Sequence, residues 1–133
     1  MKIGFTCSTF DLFHAGHIMM LKEARTQCDY LIVGMQTDPT IDRDWKNKPI
    51  QSVFERFTQL QACKYVDEVY ENADLITTDD LLNKLRADYV FAGREEEEYI
   101  KKYYQVSKNK LILLDRTSHI CTSDIINRII KNR

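Results

Sequence analysis

Apolar and polar positions along the chain alternate between two patterns. Lys2–Ser8, Asp29–Met35, Val66–Tyr70, Asp88–Ala92 and Lys110–Leu114 are short, nearly continuous apolar runs, as expected of strands covered on both faces. The stretches between them carry helical spacing. Gly16–Gln27 places Ile18, Met19, Leu21 and Ala24 on one side, and Thr122–Lys131 does the same with Ile125, Ile126, Ile129 and Ile130. Ser52 followed by Glu55 is a capping-box pattern that opens a helix to about Lys64. Thr78–Arg86 reads as a helix capped by Thr78 or Asp79, and Glu95–Gln105 as a polar helix. Thr122 or Ser123 is the expected cap of the last one. Thr37–Ile50 holds both prolines and the only tryptophan, and reads as a loop.

Strict alternation of strand and helix predicts a single Rossmann-like, three-layer α/β/α domain over residues 1–133, with a mostly parallel five-stranded sheet. Ligands of such sheets bind at the carboxyl ends of the strands, where strand order reverses.

Composition narrows the function classes. Hydrophobic residues make up 44% and charged residues 29%, which excludes disorder and low complexity. No apolar run approaches the ~18 residues of a spanning helix, so no membrane role is expected. The chain opens on a strand-like run, so no secretory leader is expected either. Net charge is −1, from 19 Lys and Arg against 20 Asp and Glu. That balance disfavours nucleic acid as a partner, and any anion site has to be built locally. Four cysteines without a close pair point to free thiols in a reducing cytoplasm. Four glycines are too few for a glycine-rich phosphate loop.

The chemistry concentrates in residues 7–17, Cys-Ser-Thr-Phe-Asp-Leu-Phe-His-Ala-Gly-His, between the first strand and the first helix. Two of the chain's three histidines, His14 and His17, sit there around Gly16. A helix start offers free N–H groups and a positive dipole end to a phosphate. Imidazoles add donors for an oxygen whose charge grows during reaction, without lysine's permanent charge. Gly16 permits close backbone approach. The plainer reading is a pair of cap and core histidines. A zinc site would need three or four ligands, and Asp11 and Cys7 are poorly spaced for that.

His14-Ala-Gly-His17 after Thr9-Phe10-Asp11 resembles the HxGH signature of the nucleotidyltransferase superfamily. With Lys64-Tyr-Val-Asp-Glu-Val69 and Arg116-Thr117, the chain is most similar to the cytidylyltransferase family, and within it to bacterial glycerol-3-phosphate cytidylyltransferases. The resemblance implies transfer of CMP from CTP to a phosphorylated alcohol, glycerol-3-phosphate first, with release of pyrophosphate. An adenylyltransferase, a cytidylyltransferase for another sugar or polyol phosphate, and a non-catalytic nucleotide-binding module are the alternatives.

The resemblance also implies roles. His14, His17 and Lys46 are the catalytic set. Thr9, Phe10, Asp11, Gly16, Lys48, Arg56, Gly93, Arg116, Thr117, Thr122 and Ser123 face the nucleotide and its phosphates. Lys64 faces the acceptor. Asp11 could also orient a histidine or a metal's waters. Mg²⁺ is expected to arrive with the triphosphate, with no protein metal ligand, and a homodimer is implied. Departures from the family pattern are Ser8 for glycine, Arg94 and Glu95–Glu98 after Gly93, His119 for glycine and Cys121 for serine.

Overall fold

The computed structural model describes residues 1–40, 48–115 and 120–132. Its main sheet is built from β1 (Ile3–Ser8), β2 (Tyr30–Met35), β3 (Glu68–Glu71), β5 (Tyr89–Gly93) and β7 (Leu111–Leu114), in the order β3-β2-β1-β5-β7. Every pairing is parallel. Helices α1 (Ala15–Thr26), α2 (Val53–Ala62), α3 (Asp79–Leu85), α4 (Glu97–Tyr103) and α5 (Thr122–Lys131) fill the connections. The chain leaves β1 towards β2 and β3, then returns to β5 on the other side of β1. The switch point therefore lies between the carboxyl ends of β1 and β5.

Apolar packing forms two layers. One joins Leu21 and Ala24 of α1 and Leu60 of α2 to Leu31, Val33 and Phe91 of the sheet. The other joins Leu82 of α3 to Phe5, Ile32 and Val90. These are the odd and even positions of the same strands, so both sheet faces are dry, and the near-continuous apolar runs follow from that.

An aspartate precedes each of three strands and accepts a backbone N–H from the strand beside it. Asp29 accepts from Lys2 at 2.7 Å, Asp67 from Leu31 at 2.8 Å and Asp88 from Ile3 at 2.8 Å. Asp67 also pairs with Arg25 of α1 at 2.9 Å. These carboxylates satisfy strand-end donors and set the register from the amino ends. They are what Asp29-Tyr30, Asp67-Glu68 and Asp88-Tyr89 do in the sequence.

The five-stranded parallel sheet agrees with expectation, but a small second sheet does not appear in it. Thr77–Thr78 (β4) pairs in parallel with Tyr104–Gln105 (β6), and a 3₁₀ turn follows at Lys108–Lys110. The helix expected over Glu95–Gln105 is therefore shorter at both ends. Ser52 caps α2 through the expected box with Glu55, and Thr78 caps α3. The cap of α5 is Cys121, not Thr122 or Ser123. The four cysteines form no disulfide with one another. No helix among the described residues is long and apolar enough to cross a membrane.

Candidate active site at the histidine turn

The β1–α1 turn is unusual backbone for its sequence. Phe10 and Leu12 take φ values of 55° and 52°, the left-handed region that glycine favours. Each such residue costs on the order of 1–3 kcal/mol and persists only where its surroundings over-determine it. Phe10 is driven by burial, since its ring is 1% exposed and packs edge-on against Phe13 and His17. Asp11, between the two, accepts from the backbone N–H of Ile50 at 2.8 Å and of Gln51 at 3.0 Å.

His14 is the N-cap of α1, and its Nδ1 accepts from the Gly16 N–H at 3.1 Å. His17, three residues on, returns the favour: its Nδ1 accepts from the His14 N–H at 3.3 Å. The imidazoles thus take the places that Ser and Glu occupy in an ordinary capping box. Their rings stack, with centroids 3.8 Å apart and planes 22° from parallel, and Phe13 also stacks on His17 at 5.8 Å. With both Nδ1 atoms accepting, each neutral ring carries its proton on Nε2. Among the described residues neither Nε2 has a hydrogen-bond partner.

Burial lowers the pKa of both rings. His17 falls to about 3, through desolvation first and the neighbouring His14 second, with Asp11 opposing. His14 is lowered by desolvation alone. At neutral pH the site therefore offers two uncharged Nε2–H donors at a helix start.

The start of α5 closes the other side. Thr122 Oγ donates to the Asp11 carbonyl at 3.2 Å. A Cβ on Gly16 would stand 2.9 Å from the Ile120 carbonyl oxygen and 3.0 Å from the His14 ring. The glycine is thus required by the close approach of the His14 imidazole, as expected, and of the Ile120 carbonyl as well. Ser123 is exposed beside Thr122, and Gly93 ends β5 across the switch point. Arg94 follows it and pairs with Asp115 at 3.0 Å.

Arg56 requires a correction. Expected on phosphate, it is 2% exposed. Nε donates to the Gln51 carbonyl at 3.2 Å, Nη1 to those of Thr9 and Gln36 at 3.1 and 2.7 Å, and Nη2 to that of Thr37 at 2.6 Å. Four of a guanidinium's five N–H groups are spent on main chain. Arg56 is a clamp joining the histidine turn, the end of β2 and the entry to α2. Desolvation lowers its pKa, while Asp11 and Asp38 oppose.

Asp11 is likewise an anchor: each of its carboxylate oxygens holds a backbone N–H group. Phe10 meets its surroundings as a buried ring supporting His17, and Thr9 donates its hydroxyl to Gln36 at 3.4 Å. Lys48 is exposed near Asp38, whose carboxyl is held below its usual range by the hydroxyl and N–H of Thr40, with Lys48 and Arg56 adding to the effect. Lys64 borders an open cleft of about 410 Å³ that also includes Phe13, Ile18, Ala62, Cys63 and Tyr65. Through Phe13 the cleft adjoins His17. Gln59 lines it too, and among the described residues its buried Oε1 has no hydrogen-bond partner. Lys46, Arg116, Thr117 and His119 lie outside the described residues.

Two residues of the site went unread in the sequence. Gln51 donates its N–H to Asp11 and accepts the Leu12 N–H on Oε1 at 2.8 Å. Gln36 joins Thr9 to Cys7. Neither carries a charge or a motif that would single it out.

Fold and site together define a Rossmann-like α/β class of protein, with paired neutral imidazole donors at the turn after the first strand. Comparison with known proteins narrows the class. The cytidylyltransferase-like family matches residues 5–128. Mouse ethanolamine-phosphate cytidylyltransferase is 36% identical over 97% of this chain and 34% of its own length. Choline-phosphate cytidylyltransferase 2 of Arabidopsis thaliana is 35% identical over 92% of this chain and 43% of its own. The chain thus spans between a third and a half of these relatives. Among solved structures, a lipopolysaccharide core biosynthesis protein from Thermoplasma volcanium shares the fold, with a TM-score of 0.67 at 22% identity, over 89% of this chain and 99% of its own. The chain belongs to the cytidylyltransferase-like family.

Proposed function

We propose that this domain transfers a nucleotidyl group, CMP from CTP, to a phosphate oxygen of a phosphorylated alcohol. That oxygen attacks the α-phosphorus in line, the bond from phosphorus to the oxygen bridging to the β-phosphate breaks, and pyrophosphate leaves. The acceptor phosphate is already ionised at neutral pH, so the step needs no strong base. Catalysis is positioning plus stabilisation of the charge that develops on phosphoryl oxygens.

One observation carries the reading. His14 and His17 are stacked, held by backbone N–H groups at Nδ1 and left with Nε2–H as donors at the start of α1. Fixed neutral donors suit an oxygen that gains charge in the transition state. Lys46 and Lys48 are proposed to meet the phosphates together with Arg116, Thr117, Thr122 and Ser123, and Lys64 to meet the acceptor. Among the described residues no group of three or more His, Cys, Asp or Glu gathers as a metal cage. A Mg²⁺ accompanying the triphosphate would take its ligands from phosphate oxygens and water.

The relatives' names support CTP as donor and a phosphorylated amino alcohol or related alcohol as acceptor. Glycerol-3-phosphate is the acceptor we propose to try first. The Arg94–Asp115 pair at the end of β5 favours keeping a different base or acceptor as the second reading. Pyrophosphate release, measured with each of the four ribonucleoside triphosphates against glycerol-, ethanolamine- and choline-phosphates, tests both. Release with CTP and one of these acceptors is expected. Triphosphate binding without release under any acceptor would leave a non-catalytic nucleotide module. A homodimer is also proposed, supported by Ile18, Met19, Val53 and Phe54, which α1 and α2 leave exposed.

A further inference from the structure

We infer that Gln51 is a positioning residue for the histidine pair, holding the strained turn from which both imidazoles are aimed. The inference rests on the activity proposed above. Asp11 lies between two residues in left-handed backbone, Phe10 and Leu12, and neither is glycine. Such a turn must be held from outside, and the segment before α2 does so with both of its polar faces. The Ile50 and Gln51 N–H groups bind the two oxygens of Asp11, and Gln51 Oε1 accepts the Leu12 N–H at 2.8 Å.

A second bond system locks the first. The Gln51 carbonyl accepts from Arg56 Nε at 3.2 Å, and the same guanidinium reaches the Thr9 carbonyl at 3.1 Å. Thr9, Arg56, Gln51 and Leu12 thus close a ring of hydrogen bonds around the turn. Its far side is the Phe10 ring against His17. Leu12 precedes His14 by two residues, so freedom at the Leu12 backbone becomes freedom at the cap.

Gln51 suits the task because its side chain is long enough to return to a turn that its own backbone already grips. It is half-buried and belongs to no strand, so its loss leaves the sheet intact. Alanine there leaves the Leu12 N–H without its acceptor and the left-handed backbone without its tie.

The test compares the parent protein with Gln51→Ala, measuring pyrophosphate release and the imidazole titration of His14 and His17 by NMR. Gln51→Ala should lower kcat by ~10- to 100-fold, the scale on which slight misplacement of reacting groups acts. KM for the triphosphate should move less than about threefold. The His17 titration should move up towards the ordinary histidine range as its surroundings loosen. Adding Leu12→Asn to Gln51→Ala should recover at least part of kcat, because asparagine takes left-handed backbone readily. A kcat within about twofold of the parent, or a loss that follows a fall in Tm while the His17 titration stays put, overturns the inference. If the parent releases no pyrophosphate with any substrate pair, the proposed activity fails. The NMR arm then decides the role of Gln51 alone: a moved His17 titration supports it and an unmoved one overturns it.

Discussion

At the scale of single residues, the unusual economy is that two side chains cap a helix and, with the same rings, present the donors proposed for catalysis. Removing one preorganised donor costs ~10²–10³ in rate in comparable sites, so His14→Ala and His17→Ala should each lower pyrophosphate release by that factor. A loss below tenfold would sink the assigned role. The pH dependence of folding has a definite sign. His17 titrates near pH 3 when folded, against 6.5 for the ordinary group. Between these values the unfolded chain binds the proton and the folded chain does not, so stability rises with pH and is lost as pH falls from about 6.5 towards 3. The slope is about 1.4 kcal/mol per pH unit from this group. Denaturant melts at pH 4, 5, 6 and 7 should show it, and His17→Asn should flatten the curve.

At the scale of elements, Arg56 shows most clearly what the chain alone conveys. Its position on α2 is legible from the Ser52–Glu55 box, but its burial is not, because a charged residue in a sequence reads as exposed. Only the meeting of three segments reveals that it spends its donors on carbonyls. Arg56→Met should therefore destabilise the fold by ~3–5 kcal/mol, the cost of stranding buried polar groups, and a Tm that hardly moves would contradict the clamp. The same logic separates the other elements. The five parallel strands were legible because burial on both faces imposes apolar runs. The β4–β6 pair was not: two residues on each side carry no period, and only the folded chain brings Thr77 and Thr78 into register with Tyr104 and Gln105. Likewise the cap of α5 falls on Cys121, a residue with weak capping chemistry, one position before the hydroxyls that a sequence pattern favours. Gly16 is legible as a place of close approach beside the imidazoles, whereas the Ile120 carbonyl that also presses on it comes from the far end of the chain and is not. Gly16→Ala should push the Ile120 carbonyl or the His14 ring away and weaken triphosphate binding, measurable by calorimetry, with a stability cost of ~1–3 kcal/mol.

At the scale of the molecule, the site stands at the one place where the sheet reverses its order, and the elements meeting there come from both ends of the chain. Thr122, near the end, binds the carbonyl of Asp11, near the beginning. Outside the site, the largest exposed apolar side chain on α2 is Phe54, at 76%. A homodimer formed over this face would be disrupted by Phe54→Glu combined with Met19→Glu. Sedimentation should then show a shift from dimer to monomer, whereas a parent already monomeric at micromolar concentration would dispose of the proposal.

The imidazole capping box has one more consequence. In many enzymes reactive groups are held against their own preference, and replacing one of them makes the protein more stable while abolishing turnover. Here the sign reverses. His14 caps α1, a bond worth ~1 kcal/mol in ordinary caps, so under the proposed activity replacing it with alanine loses stability together with rate. Serine or aspartate there would keep the cap while removing the imidazole donor, so under the proposed activity His14→Ser separates the two roles: rate falls and the helix start holds.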